Sequence, residues 1–376
     1  MNKETLQNYN ERLSENNISL ESVFEKIETL PEVSGTLTIT ENGEHNVKDY
    51  EKVMADVHEP TPYAPKFISF YNFSGTELDE ELANLDTSNI TSMSYMFGTC
   101  LKLKQIDLSN FDTKNVTSMA YMFNNSSAME EIDITSFNTS NVTSFSRMFQ
   151  YCRALKNLDL SNFDVSKSTH FDYMFDSCQE LETLDLTGWQ TSSATSTTRM
   201  FNSCFKLKSL NISGFDTSNV TDISRMFSSL RALTELDVSN ITINPSVSSL
   251  EYMFSQCYEL EELDVSHFDV SKVSVTSYMF SECRKLKTLD LSSWDTTKIV
   301  STTSMFYNCI ALEKLILGGP SLLKMSNSQM LYNTPIAKGE GYVYVPDELL
   351  ETYKSSSNWS SFADQIKPLS ELPTEE

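Results

Sequence analysis

Histidine is scarce, long apolar runs are missing, and basic residues are outnumbered almost two to one. The four histidines, His45, His58, His170 and His267, are scattered through 376 residues. No P-loop, nucleophile elbow or zinc-protease spacing accompanies them, so no catalytic residue, metal ligand or cofactor site is expected. The longest apolar stretch falls short of the 18 residues that would suggest a transmembrane helix. Lys and Arg number 28 against 52 Asp and Glu, a formal net charge of −24. That balance opposes binding to nucleic acid or to an anionic membrane and favours cationic or uncharged partners. The opening Met1-Asn2-Lys3-Glu4-Thr5 and the polar, acidic residues after it lack the apolar core of a signal peptide.

What the chain has in abundance is a repeat. Met-Phe pairs begin at Met96, Met122, Met148, Met174, Met200, Met226, Met253, Met279 and Met305, always 26 residues apart except for one step of 27, and a degenerate pair stands at Met330-Leu331. Self-similarity at such a period predicts a solenoid, in which each unit covers the apolar face of its neighbour. Within one unit, Leu103 to Leu108 reads Leu-x-x-Ile-Asp-Leu, a strand with Ile106 and Leu108 inward and Gln105 and Asp107 outward. Ser109 to Thr113 then turns the chain with short side chains that bond their own backbone. Val116, Met119, Met122 and Phe123 follow as the apolar stripe of a short helix or 3₁₀ segment. The expected fold is an α/β solenoid: a leucine-rich-repeat-like, right-handed stack of about nine 26-residue coils with caps at both ends.

All seven cysteines, Cys100, Cys152, Cys178, Cys204, Cys257, Cys283 and Cys309, stand three residues after the Phe of a pair. Ser126 and Leu230 fill that place in two other units, so it reads as a small, mostly apolar interior slot holding free thiols. Cys-x-x-Cys spacing is missing, and an odd count with one shared role argues against disulfides and for synthesis in a reducing cytoplasm.

Four segments are expected. Residues 1–32 carry Leu6, Tyr9, Leu13, Leu20, Val23, Phe24, Ile27 and Leu30 at helical spacing, a stripe that packs either on the array or on copies of itself. Residues 33–65 form a short β-hairpin at Asn42-Gly43 and a linker stiffened by Pro60, Pro62 and Pro65. Residues 66–317 are the array, opened by an atypical coil at Phe67 to Phe73. Residues 318–376 are a C-terminal cap, with a strand at Tyr342 to Val345, a helix begun at Pro346, and Trp359, Phe362 and Ile366 closing the core.

Units of the form Leu-Asp-Leu-Ser-x-Phe-Asp-Thr-Ser-x-Val-Thr-Ser followed by Met-Phe-x-x-Cys, spelled over much of Leu108 to Cys152, resemble the BspA-like leucine-rich-repeat family of bacterial surface proteins. That resemblance implies an adhesin or host-binding role. The flanks, Thr38 to Gly43 with Val47 and Tyr50, and Tyr344 to Asp347 through Asn358-Trp359, resemble tail and fibre proteins of phages infecting Firmicutes. They imply a virion component whose N-terminal segment meets other virion proteins.

The outward strand positions make a ladder of Asp107, Asp133, Asp159, Asp185, Asn211, Asp237, Asp264 and Asp290. A second ladder follows the turn aromatic at Asp112, Asn138, Asp164, Gln190, Asp216, Asp269 and Asp295. Carboxylates one rung apart repel by roughly 0.9 kcal/mol even at water's dielectric. Two readings stay open: the first ladder is simply solvated while the second bonds turn amides, or the first is part of an acidic, hydroxyl-rich face for a bacterial surface glycan or a basic protein. Calcium bridging between rungs is a third, though no loop follows a calcium-binding pattern. The expected function is non-enzymatic binding, on a phage tail or fibre or at a bacterial cell surface, with a structural spacer as the rival.

Overall fold

The computed structural model describes residues 69–76, 78, 82, 85–325 and 329–373. The chain divides into two units, Met1–Ala64 and Pro65–Glu376. The expected helical segment, hairpin and linker lie outside the described residues.

From residue 85 to 317 the backbone winds in stacked coils. Isolated parallel bridges join Ser92, Ser118, Ser144, His170, Ser196 and Asp222 in succession, and then Ser249, Val275 and Ser301. The repeated apolar positions are the interior: Leu103, Val116, Met119, Met122 and Phe123 are completely buried. The Phe of every pair stacks on its neighbour from Phe70 to Phe306, with ring centroids 5.5 to 5.9 Å apart and planes within 10° of parallel. Those separations exceed the coil spacing of about 4.8 Å, so the rings are offset, the arrangement their quadrupoles favour. Phe70, expected in a strand, instead fills the Phe place of an earlier turn; its amide donates to the Met96 carbonyl at 2.6 Å.

The Val116 to Phe123 stripe is not helical. Between residues 85 and 317 the described residues hold one 3₁₀ turn, Thr296–Lys298, and no α-helix, which corrects the helical half of the α/β expectation for the array. The cause is where the amides point. Met119, Tyr121, Phe123 and Asn125 donate to the Ser144, Ser146, Met148 and Gln150 carbonyls of the next coil, at 2.7 to 3.1 Å, while Met122, Asn124 and Ser126 donate three residues back. A helix keeps every amide for its own turns; here alternate ones hold the neighbouring coil. The alternation needs left-handed backbone at Tyr121 (φ 59°) and Asn125 (φ 58°), and the same two places recur in coil after coil.

The Leu-x-x-Ile-Asp-Leu face is a thin parallel sheet. Strands β1, Thr183–Asp185, and β2, Ser209–Asn211, pair with Asp185 opposite Asn211. Strands β3 (Thr288–Leu291), β4 (Lys314–Leu317), β5 (Tyr342–Val345) and β6 (Ile366–Pro368) form a second sheet in that order. Pro368 lacks a donor, which suits an edge. The turn threonines bond the next coil rather than their own backbone. Thr113 Oγ1 donates to the Asn138 carbonyl (3.0 Å) and accepts from its amide (2.7 Å), and Thr87, Thr191 and Thr217 do likewise with Asp112, Asp216 and Thr242.

The single 27-residue step leaves a mark. From Ile241 to Leu250 the chain has one residue more than from Phe215 to Ile223, absorbed in a turn where Asn244 takes the Ser246 amide at 2.8 Å. The bridge ladder is interrupted there, and the Ile223 and Ser248 amides lack the inter-coil bonds their counterparts make.

After the array, helix α1 (Pro335–Lys338) is capped by Thr334, and α2 (Leu350–Ser355) follows a 3₁₀ turn at Asp347–Leu349 rather than starting at Pro346. Trp359 and Ile366 are buried as expected, Trp359 Nε1 donating to the Leu323 carbonyl at 2.8 Å; Phe362 is only half-buried. At Gly318 a Cβ would lie 1.7 Å from the Ser292 carbonyl oxygen, so the last coil closes on a position that no side chain fits.

Candidate binding faces

Asp107, Asp133, Asp159, Asp185, Asn211, Asp237, Asp264 and Asp290 are all exposed on the sheet face. They are not simply solvated. Each side chain accepts the amide two residues ahead, from Ser109, Thr135, Ser161, Thr187, Ser213, Ser239, Ser266 and Ser292, at 2.8 to 3.1 Å. These Asx turns hold the carboxyls of Asp107, Asp159 and Asp237 below the usual range chiefly through the backbone amide, and those of Asp133, Asp185 and Asp264 chiefly through the neighbouring hydroxyl. The local bonds offset the repulsion between rungs. In the second ladder Asp112, Asn138, Asp164, Asp216, Asp269 and Asp295 likewise accept the amide two residues ahead, whereas Gln190 donates to the Gly188 carbonyl instead.

Beside the first ladder run exposed ion pairs one coil apart, including Lys104 and Lys156 on Glu130 (3.4 and 2.9 Å) and Lys208 on Glu182 (2.8 Å). Exposed pairs of this kind add little stability. A shallow open groove between the first two rungs is lined by Gln105, Asp107, Glu131 and Asp133. The row ends where Asp290 pairs with Ile316 and Ile316 with Tyr344. Among the described residues no three His, Cys, Asp or Glu side chains are grouped to hold a metal. His267 instead stands on the Val238 and Ile241 carbonyls (3.0 and 3.2 Å).

The cysteine slot has a polarity that the sequence hid. Cys152 Sγ donates to the Phe123 carbonyl of the previous coil at 3.1 Å, and Cys178, Cys204, Cys257, Cys283 and Cys309 repeat the contact at 3.0 to 3.3 Å. Ser126 makes the same bond to Phe97 at 2.6 Å, which explains why Ser replaces Cys. Burial pushes the Cys152, Cys257 and Cys309 thiols up to about 12. They are packing groups, not nucleophiles.

A second face was missed. The residue before the Met is Tyr95, Tyr121, Arg147, Tyr173, Arg199, Arg225, Tyr252 and Tyr278 in successive coils, all half-buried. Tyr95 stacks on Tyr121 at 4.3 Å and Tyr252 on Tyr278 at 4.5 Å. Arg147 lies between Tyr121 and Tyr173 (5.2 and 4.6 Å). All six arginines among the described residues lie over a ring. Its signal in the sequence is a Tyr or Arg at one repeat position, directly before the Met-Phe pair.

No helix among the described residues is long and apolar enough to cross a membrane. No curated protein matches the chain. Among solved structures it is similar to a leucine-rich repeat protein from Bacteroides ovatus (18% identity, TM-score 0.40, covering 72% of this chain and 69% of that one). It is also similar to a leucine rich cell surface protein from Faecalibacterium prausnitzii (17%, 0.37, 74% and 83%) and to the pneumococcal vaccine antigen PcpA (16%, 0.30, 74% and 77%). One family model matches residues 68–184, 129–241, 169–263 and 237–318, together two thirds of the chain and in accord with the BspA-like reading of its repeats. The match stops short of both flanks, so their likeness to phage tail and fibre proteins is not shown. The array places this chain in the family described as Mycoplasma protein of unknown function, DUF285.

Proposed function

We infer that this chain is a non-enzymatic binding protein that meets a bacterial surface glycan or protein through an extended face of its coils. One observation carries the reading: the outward row from Asp107 to Asp290 stands exposed with every side chain fixed by an amide of its own turn. Side chains already held in place lose little freedom on binding, and a row of them suits a partner that lies along the surface rather than in a pocket. Carboxylates kept ionised, on a chain of net charge −24, select cationic or hydroxyl-rich partners. In this reading the coils are right-handed, nine in number and closed at both ends. A placement on a phage tail or fibre, with the N-terminal segment meeting other virion proteins, is the version that the flanking resemblance supplies.

A glycan array and a panel of basic proteins, probed with the full chain and with the Asp159→Lys/Asp185→Lys variant, test it. Binding that the variant loses while its urea midpoint is kept supports the face. Unchanged affinity removes the ladder from recognition, and silence on every probe leaves a structural spacer.

A further inference from the structure

Tyr or Arg precedes the Met in eight consecutive coils although the backbone there is left-handed, with φ from 54° to 60°. Bulky side chains are disfavoured in that conformation, and Ser304 occupies the same place in the next coil at φ 52°. The fold alone therefore does not demand the rings or the guanidiniums.

Arg147 and Arg199 lie on either side of Tyr173, at 4.6 and 5.3 Å from its centroid. Neither side chain makes a hydrogen bond or ion pair among the described residues, and Arg147 Nε is buried without a partner. In a chain with 52 acidic residues that is unusual. Stacking holds a guanidinium in place and leaves its terminal N–H donors for something else. Two coil steps put the two cations roughly 10 Å apart. Between them, beside Tyr173, is half-buried Asp172, bonded by Ser146 Oγ at 2.7 Å. Asp176, buried nearby, is engaged by Gln150 Nε2 (2.9 Å) and Asn202 Nδ2 (2.6 Å).

From Arg147 to Arg199 the charge thus runs cation, Asp172, cation, and Arg225 adds a further cation one coil beyond, over Tyr252 at 4.0 Å. A densely charged polymer such as a nucleic acid would set an anion against Asp172, and a neutral glycan would offer the two guanidiniums hydroxyl acceptors but no charge to pair with. We propose that this strip binds a linear anionic polysaccharide carrying a carboxylate on alternate sugars. The carboxylates accept from Arg147 and Arg199, and a hydroxyl of the intervening neutral sugar donates to Asp172. The inference rests on the chain's being a binding protein but uses a different face from the Asp ladder.

Hyaluronan oligosaccharide, with one carboxylate per disaccharide, is the probe, titrated against the full chain by calorimetry at low and high salt. Salt-sensitive binding is expected. It should weaken by at least about tenfold in Arg147→Gln/Arg199→Gln, each site losing charge-assisted bonds, and be unchanged in Asp159→Lys/Asp185→Lys. No binding overturns the proposal, as does equal binding by the Arg variant, by a neutral cello-oligosaccharide or by poly-γ-glutamate. Loss in the Asp variant instead moves hyaluronan to the other face. Should the Arg variant unfold, hydrogen exchange on the unaltered chain decides: protection confined to residues 146–152, 172–178 and 198–204 supports the strip, and protection elsewhere refutes it.

Discussion

Alkali should dismantle this array through its cysteines. Burial raises Cys100 to about 11, Cys152, Cys257 and Cys309 to about 12, and holds Cys178, Cys204 and Cys283 well above the ordinary thiol range. A thiol in the unfolded chain ionises near 8.5. The native values are the higher ones, so the stability these thiols contribute is fully present below that pH and is lost as pH rises toward the native values. At pH 10 each costs about 2 kcal/mol relative to neutral pH, and the seven together on the order of 10 kcal/mol, as much as many domains possess. The urea midpoint followed by circular dichroism should fall steeply between pH 8.5 and 10.5. Cys178→Ser/Cys204→Ser, which copies the natural Ser126 into two further coils, should move that fall upward, because Ser makes the same bond to the Phe carbonyl and does not titrate. In parallel, iodoacetamide at pH 8 should leave all seven thiols unmodified in the native chain and label all seven in urea. A midpoint flat across that range, or rapid labelling with the circular dichroism intact, would refute the reasoning.

Phe175→Ala should cost about 3 to 5 kcal/mol, since the ring is completely buried between Phe149 and Phe201, and calorimetry should show the array melting in more than one step. Acid should destabilise the chain as well. The carboxyls of Asp107, Asp133, Asp159, Asp185, Asp237 and Asp264 lie below their unfolded values near 3.9, so their contribution is present above that pH and disappears as pH falls through the native values. Asp159→Asn/Asp185→Asn, keeping the Asx bond as Asn211 does, should lose less of its urea midpoint between pH 6 and pH 3. Hydrogen exchange should be faster at Ile223 and Ser248 than at Phe171 and Thr195, whose amides reach the neighbouring coils. Gly318→Ala should lower stability by about 1 to 3 kcal/mol through its clash with Ser292, read as a lower melting temperature.

The period of the Met-Phe pairs by itself determined the stacked coils, the buried column of Phe rings and the inward place of every Cys, because a fixed period with a fixed apolar pattern admits few ways of hiding that pattern from water. The inward and outward sense of Ile106 and Asp107 followed in the same way from the twofold alternation of a strand. Local sequence could not tell a helix from a pair of turns at Val116 to Phe123. Spacings of three and four suit both, and the choice was made by the Ser144 to Gln150 carbonyls, which take the amides a helix would have used. For the same reason the partners of Thr113 and Cys152 were invisible: each bonds a backbone group of another coil, 25 and 29 residues away. The strip of Arg147, Asp172 and Arg199 is the clearest case. Twenty-five residues of chain separate Arg147 from Asp172, and only stacking at the coil spacing turns those residues into one surface.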